Sequence, residues 1–437
     1  MNVRVKRATA STTIFILLLL LSFCSCVSVS SANTIVVDIN GGGDTTSINT
    51  AIDVAEPGDT IFVRSGTYDS VKITKGSITL QGEDTLTTFI KGGFSAGVGD
   101  GACDLTITGF TIQGGSIYLW SGDNIRIHDN IFKNSGIDLL GLGYNVHDNA
   151  FIGCGIVIKG SGTIKNNHIE GGNINLGSGE SSDIIRNTIT DGGIRLEHSN
   201  GCTIFENNIN GKGRRDGIVL YKSDNNIIRM STISDCDSAI DLGPYEAREE
   251  PYSNNNDISF NTITECEHGI NSAGTDNVIT YNSLSSNLWG VWIAGSNNKI
   301  YKNNFLNNQE NNAVALKMSS DNSWDNGKEG NYWSDYNGQD ADGDGIGDKP
   351  YINIGEGCKD NYPLMEMNSA AGSGTSISSP TPIPTVKPTQ APTSQPTPVP
   401  LSTPVPLSTP TPESHGFGTI LAIAGLLAVS YLLRRRR

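Results

Sequence analysis

The chain has 437 residues and a formal net charge of −15 at pH 7, from 30 Lys and Arg against 45 Asp and Glu. Seven of the basic residues sit in the first 32 and last 22 positions, which hold no acid, so residues 33–415 carry 23 basic against 45 acidic side chains, a net of −22. Such a surface excludes nucleic acid as a partner and suits divalent cations or salty surroundings.

In chain order, Arg4, Lys6 and Arg7 precede an apolar core from Ile14 to Phe23, and small residues follow to Ser30-Ser31-Ala32. This predicts a secretory signal over 1–32. Six cysteines remain beyond it: Cys103, Cys154, Cys202, Cys236, Cys266 and Cys358. No CxxC pair occurs, which argues against zinc, while an extracellular address permits disulfides.

Residues 47–55, "SINTAIDVA", place Ile48, Ala51, Ile52 and Ala55 on one helical face behind the N-cap candidate Ser47. A short helix is expected there, capping the open end of the repeats. "EPGD" ends it, and "TIFVRSGTYDSVKI" begins the strands.

The body then repeats. Asn130, Asn149, Asn167, Asn187, Asn207, Asn261, Asn282 and Asn303 each open an Asn-x-apolar pattern, with Ser231 in the one vacancy. Spacings are 18 to 21 residues, apart from 24 and 30 around Ser231. Gly136, Gly155, Gly193, Gly217, Gly269 and Gly290 mark a second position before an apolar-x-apolar pair. A period of about 20 residues without helical periodicity predicts an all-β solenoid over 33–312, a right-handed parallel β-helix. Its strands pair in parallel with the turns above and below, ~4.8 Å apart. A leucine-rich repeat would need its leucines, and a propeller roughly twice the period. The repeated asparagines are expected to point inward at a corner and to bond to one another along the axis. They are not glycan acceptors, because no Asn has Ser or Thr two positions on.

Alternation about the Gly markers defines outward columns. One holds Tyr118, Asp138, Arg195, Asp241 and Trp292; its neighbour holds Trp120, Lys159, Glu197 and Tyr221. Aromatic rings, carboxylates and bases mixed on one face fit sugar recognition, since rings stack on pyranose faces and charges fix hydroxyls or uronates. The candidate carbohydrate-binding set is Tyr118, Trp120, Asp138, Lys159, Arg195, Glu197, Tyr221 and Asp241. The insertion Gly243 to Asn256 would overhang it. Arg195, Glu197 and Asp241 offer a base and neutraliser for a lyase or epimerase, or a hydrolase pair. No catalytic signature accompanies them, so binding is expected ahead of catalysis and no catalytic residue is assigned.

His128 and His147 both lie two residues before a corner Asn and should be neighbours outside the coil; two imidazoles are too few for a copper site. Cys236 and Cys266 belong to successive turns, within disulfide reach or as stacked free thiols.

Residues 313–368 are expected to close the other end. Within them "DADGDGIGD" places Asp340, Asp342, Asp344, Gly345 and Asp348 at positions 1, 3, 5, 6 and 9 of an EF-hand-type loop, with Tyr351 at position 12. This predicts a structural calcium ion held by Asp340, Asp342, Asp344 and Asp348. Residues 369–415 are rich in Ser, Thr and Pro and read as a semi-rigid stalk. Residues 416–437 supply 17 uncharged residues, Phe417 to Leu433, and then Arg434 to Arg437, an anchor or sorting segment with its end on the cytoplasmic side.

"TIVVDINGGGDTTSINTAIDVAEPGDTIFVRSGTY", followed by the Asn-x-Ile repeats, resembles the NosD-like β-helix family. "GNYWSDYNGQDADGDGIGDKPYIN" with "DNYPLM" resembles the closing segment of archaeal surface members. "HGFGTILAIAGLLAVSYLLRRRR" resembles the archaeal Pro-Gly-Phe sorting tail processed by an archaeosortase, with His415 in place of the proline. The resemblance implies a surface-anchored protein. Copper delivery, sugar processing and surface-layer or adhesive roles all occur among its relatives. The expected role is a surface-layer-associated or adhesive module contacting polysaccharide, with a carbohydrate-active enzyme and a copper-handling accessory protein as alternatives.

Overall fold

The computed structural model describes residues 32–97, 101–120, 122–243, 252–317, 319 and 321–372. The predicted stalk beyond Gly372, the anchor, all but the last residue of the signal, and residues 244–251 of the insertion lie outside them. Among the described residues no helix is long and apolar enough to cross a membrane.

The chain winds through about 12 turns of parallel β-helix. Each regular turn contributes three short strands, as in Asp183–Ile185, Thr188–Thr190 and Ile194–Glu197. Strands pair in parallel with their equivalents one turn away, and the register holds from turn to turn apart from a shift between Leu142 and Tyr144: Ile164, Ile184 and Ile204 align, as do Ile189 and Ile209, and Ile194 and Ile218. One wall is a sheet of 13 strands. The other two walls join into a single 23-stranded sheet, because Ile137–His147 and Ile156–Lys165 round their shared corner without a break. Glycines with positive φ at that corner, Gly141 and Gly160, permit the bend.

The corners explain the strand-breaking asparagines. The residue before each ladder position is left-handed: Asp148, Asn166, Arg186, Glu206 and Met230 all have φ between 54° and 55°. That bend turns the next side chain inward. Asn187 Nδ2 donates to Ile164 O at 3.0 Å, Ile185 O at 3.2 Å and Asn207 Oδ1 at 3.0 Å. Its own Oδ1 accepts the Asn167 backbone N–H at 3.0 Å. A buried amide thus satisfies backbone groups that a bend leaves without ladder partners. The chain of amides runs from Asn130 through Ser231 to Asn331, one rung beyond the last regular spacing. Aliphatic side chains fill the space between corners, and like stacks on like: the Phe132 and Phe151 rings lie 4.5 Å apart and 6° from parallel.

The helix Ile48–Val54 is present, capped by Ser47, with Ile48, Ala51 and Ile52 buried. At the other end Phe305, Trp333 and Tyr351 stack at 4.4 and 4.2 Å.

Candidate functional site

The second repeated marker has its own cause. A Cβ on Gly193 would lie 2.2 Å from Asp216 O; on Gly217, 2.5 Å from Ala239 O; on Gly290, 2.2 Å from Asn312 O. Here successive turns approach backbone to backbone and glycine recurs, while Ser116, Asn173, Ala239 and Asn312 hold the same place in other turns. Beside this corner, in the earlier turns, lies a depression of about 310 Å³ lined by Ser116, Tyr118, Asp138, Cys154, Asn173 and Asn175.

Two of the predicted sugar-site residues, Tyr118 and Asp138, face that depression and pair in register. Tyr118 and Trp120 are exposed, at 47% and 53%. Arg195, Glu197 and Tyr221 form a second group: the Arg195 Nε is 4.0 Å from Glu197 Oε2, and its guanidinium lies 5.7 Å from the Tyr221 ring centre. Lys159 stands beside Leu140 and Gly177 in the adjacent turns. Asp241 departs from the expected open position. It is only 8% exposed, and its Oδ1 accepts the Gly243 N–H at 3.0 Å. Burial pushes its carboxyl up to about 7, and the negative charge of Asp216 adds to the effect while Arg195 opposes it.

Residues outside the predicted set complete this stretch. Asn271 and Trp292 continue the Asp241 column in the next two turns. The Asn271 Oδ1 is buried without a partner among the described residues. His268 stacks on Trp289 at 4.7 Å and meets the Trp292 edge at 5.9 Å. Asp216 Oδ1 accepts the Ser238 N–H at 3.3 Å. Partial burial holds its carboxyl above the ordinary value, opposed by that hydrogen bond and reinforced by Asp237, although the residue keeps an exposed outer edge. Asp216, Ser238, His268 and Trp289 each immediately precede a marker residue, so their common position was readable in the repeat.

His128 and His147 stack as expected, 4.8 Å apart and 4° from parallel. Each Nδ1 lies against its own neighbour, Asp129 at 2.7 Å and Asp148 at 2.6 Å. Cys236 and Cys266 are free thiols rather than a disulfide, and the Cys236 N–H meets Cys266 Sγ at 3.4 Å. The close Cys266 sulfur, together with burial, pushes the Cys236 thiol up.

In the acidic loop, carboxylate oxygens of Asp340, Asp342 and Asp344 lie within 4.8 Å of one another. Asp340 accepts N–H bonds from Gly343 at 2.7 Å and Gly345 at 2.9 Å, which wraps the loop around it. These bonds, the one from Gly345 foremost, hold its carboxyl below the usual range. Gly345 has φ +88°, the sharp turn expected at position 6. Asp348 accepts the Ala341 N–H at 3.1 Å and stands outside the three-carboxylate group. Three converging carboxylates are a donor set that suits a hard cation.

Stacked parallel strands around a filled core define the class, a right-handed parallel β-helix. Residues 98–247 match the family model described as right handed beta helix region, residues 180–338 the one described as periplasmic copper-binding protein (NosD), and residues 416–436 the PGF-CTERM motif. The chain is a right-handed β-helix protein similar to NosD over 180–338, extracellular and anchored at the cell surface as its C-terminal motif indicates. No curated protein matches it. Similar solved structures include a PL6 family alginate lyase at 16% identity and TM-score 0.38, covering 67% of this chain and 53% of that one. The chain thus spans about half of that lyase. The A-module of a mannuronan C-5 epimerase from Azotobacter vinelandii is similar at 12% identity and TM-score 0.42, covering 63% and 93%. A PL6 family polysaccharide lyase from Pseudopedobacter saltans is similar at 18% identity and TM-score 0.35, covering 58% and 85%.

Proposed function

We propose that the protein is a surface-held module that binds polysaccharide along the outer face that holds Tyr118, Trp120, Arg195 and Tyr221. The observation carrying this reading is a depression of about 310 Å³ beside exposed Tyr118 and Trp120, with Arg195, Glu197 and Tyr221 on the same face in later turns. Extended sugar chains suit a long, shallow, solvent-open track flanked by aromatic rings and charges. Surface-layer proteins bearing such glycans are partners of fitting chemistry. Asp340, Asp342 and Asp344 would hold a calcium ion in the C-terminal segment, a structural and not a catalytic role.

The test is affinity electrophoresis of the full chain through gels carrying a panel of neutral and acidic polysaccharides. Retardation by at least one polymer, abolished by the double variant Trp120→Ala/Tyr221→Ala, is the expected result. Retention of binding by that variant would rule this face out as the binding surface.

A further inference from the structure

We propose that the depression between Ser116 and Asn173 is a subsite for one uncharged sugar residue of a glycan chain, read by Asp138 and three neutral side chains, Ser116, Asn173 and Asn175. The inference rests on the polysaccharide-binding reading of the same face and adds to it a place and a substrate class.

The depression has a local cause in the repeat. Ser116, Gly136, Gly155 and Asn173 occupy one position in four successive turns, each just before the aligned Ile117, Ile137, Ile156 and Ile174. The two end residues carry side chains and the two middle ones carry none. A Cβ on Gly136 would lie 2.6 Å from Gly155 O, and one on Gly155 would lie 2.2 Å from Asn173 O, so the gap cannot be filled from below. With strands ~4.8 Å apart, three steps separate Ser116 from Asn173 by roughly 14 Å along the axis. The outward column two residues further on, from Tyr118 through Asp138 and Val157 to Asn175, forms one flank, and Cys154 lies on the other. The volume is about 310 Å³. That is at the lower end for small-ligand sites, ~300–1,000 Å³, and suits one ring whose neighbours in the chain run out into solvent.

The polar groups are neutral donors around one carboxylate. Ser116 Oγ accepts the Gly136 N–H at 3.0 Å, and Asn173 Oδ1 accepts the Gly193 N–H at 2.9 Å. The fold thus uses an acceptor on each and leaves the Ser116 hydroxyl proton and the Asn173 Nδ2 protons for a ligand oxygen. The side chains of Asp138 and Asn175 line the depression with no hydrogen bond or ion pair among the described residues. A carboxylate accepts from sugar hydroxyls through charge-assisted bonds while the amides and the serine donate to sugar oxygens. The exposed Tyr118 ring at one end can cover an apolar sugar face.

Charge sets the substrate class. Asp138 is the only charged residue lining the depression among the described residues. Lys159 stands two residues beyond Val157, between Leu140 and Gly177, and does not line it. Arg195 follows Asn175 one turn later, but it lies 4.0 Å from Glu197 and over the Tyr221 ring. A uronate carboxylate would meet the unpaired Asp138 in a body of net charge −22, with no base lining the site. Like charges brought together in this way reject a partner. An uncharged sugar meets only groups that bond to hydroxyls.

The experiment runs the full chain through affinity gels carrying β-glucan, mannan or galactan, with alginate as the acidic contrast, at low and at high salt. It is repeated with Asp138→Asn and Asp138→Lys, each checked for an unchanged far-UV dichroism spectrum. At least one neutral polymer should retard the natural protein with little dependence on salt, and alginate should not retard it. Asp138→Asn, an isosteric change at a half-buried surface position, should weaken binding of the neutral polymer about 10-fold, the usual loss with a hydrogen bond to a charged group. Asp138→Lys should lose the neutral polymer and gain alginate in a salt-sensitive way. Alginate bound by the natural protein as well as the neutral polymers, or better, overturns the substrate class and leaves the binding face standing. Binding of a neutral polymer that Asp138→Asn leaves unchanged overturns the depression as its subsite, again with the face intact. No binding of any polymer overturns both.

Discussion

Two corners of the same coil repeat with equal regularity for opposite reasons. At the asparagine corner the repeat is set by what must be present: an amide whose donors and acceptor satisfy the backbone on either side of a left-handed bend. At the glycine corner it is set by crowding, since a Cβ on Gly193, Gly217 or Gly290 would strike the next turn's carbonyl, although Asn173 and Ala239 hold the same place in other turns. The first corner is closed to chemistry because its side chains are consumed by the fold. The second leaves its flanks free, and there the side chains vary from turn to turn.

The largest effect should come from breaking the amide corner. Asn187→Ala strands the Asn167 N–H and the Ile164 carbonyl in the interior and opens a cavity. It should cost about 3–5 kcal/mol, at ~1–3 kcal/mol per unsatisfied buried group plus the lost packing. Ser231 occupies the same corner with less: its Oγ accepts the Asn207 N–H at 3.2 Å and donates to Arg229 O at 3.4 Å. Ser231→Ala should cost only about 1 kcal/mol. Urea titrations of the two variants check the difference, and equal losses would refute the view that the amide holds the corner.

The contrast also accounts for how much the sequence disclosed. Asn130 to Asn303 were legible because each solves the same backbone problem at the same spacing. A second ladder is hidden from its spacing: Asn226, Asn256, Asn277 and Asn298, each linked from N–H to the next Oδ1. Its signature was also there, an Asn or Asp in the left-handed position just before, as in Asn225, Asn255, Asp276 and Asn297. Cys202 and the insertion after Gly243 interrupt its period, so spacing alone hid it. On the outer face the alternation placed Tyr118, Trp120 and Arg195 correctly. Asp241 is buried at a position the pattern leaves open, because alternation gives direction but not depth. The influence of Asp216 on it crosses from one turn to the next, which alternation along a strand does not disclose.

The ladder's last rung puts a charge where the other rungs hold amides. Beyond Asn331 no further turn offers an amide, and Asp360, fully buried, takes its place. Its Oδ2 accepts the Asn331 N–H at 2.7 Å and the Trp333 Nε1–H at 2.8 Å, and its Oδ1 accepts the Tyr362 N–H at 3.0 Å. Burial nonetheless pushes its carboxyl up to about 6, the hydrogen bonds only partly offsetting the lost solvation. A carboxyl raised above its unfolded value binds its proton more tightly in the fold. Its contribution is therefore full below about pH 4 and is lost as pH rises through about 6. The magnitude is about 3 kcal/mol from the size of the shift. Asp360→Asn does not titrate, so the stability of the natural protein relative to this variant should fall by about that much between pH 4 and pH 8. Amide exchange near Asn331 and Trp333 should report it, and a constant difference across that range would show that Asp360 does not change charge.

The acidic loop beside this rung sharpens the comparison from outside the coil. It is exposed, and it is stitched to the segment that carries Asp360: Gly347 N–H bonds to Pro363 O at 2.8 Å, and Met365 N–H to Gly345 O at 3.0 Å. A calcium ion among Asp340, Asp342 and Asp344 would therefore steady the last rung and leave the middle ladder untouched. Binding to the folded form alone adds at most about 2.7 kcal/mol at a free concentration of 100 times Kd. Asp342 is the residue to replace, because Asp340 also holds the loop's own amides, whereas Asp342 accepts only a long bond from the Asp344 N–H at 3.4 Å. Added calcium should raise the melting temperature of the natural protein, slow exchange around Trp333 and Leu364, and leave exchange at Asn187 unchanged; Asp342→Ala should lose that response. A melting temperature indifferent to both calcium and chelator would reduce the loop to a solvated acidic turn, with the rung at Asp360 held by its hydrogen bonds alone.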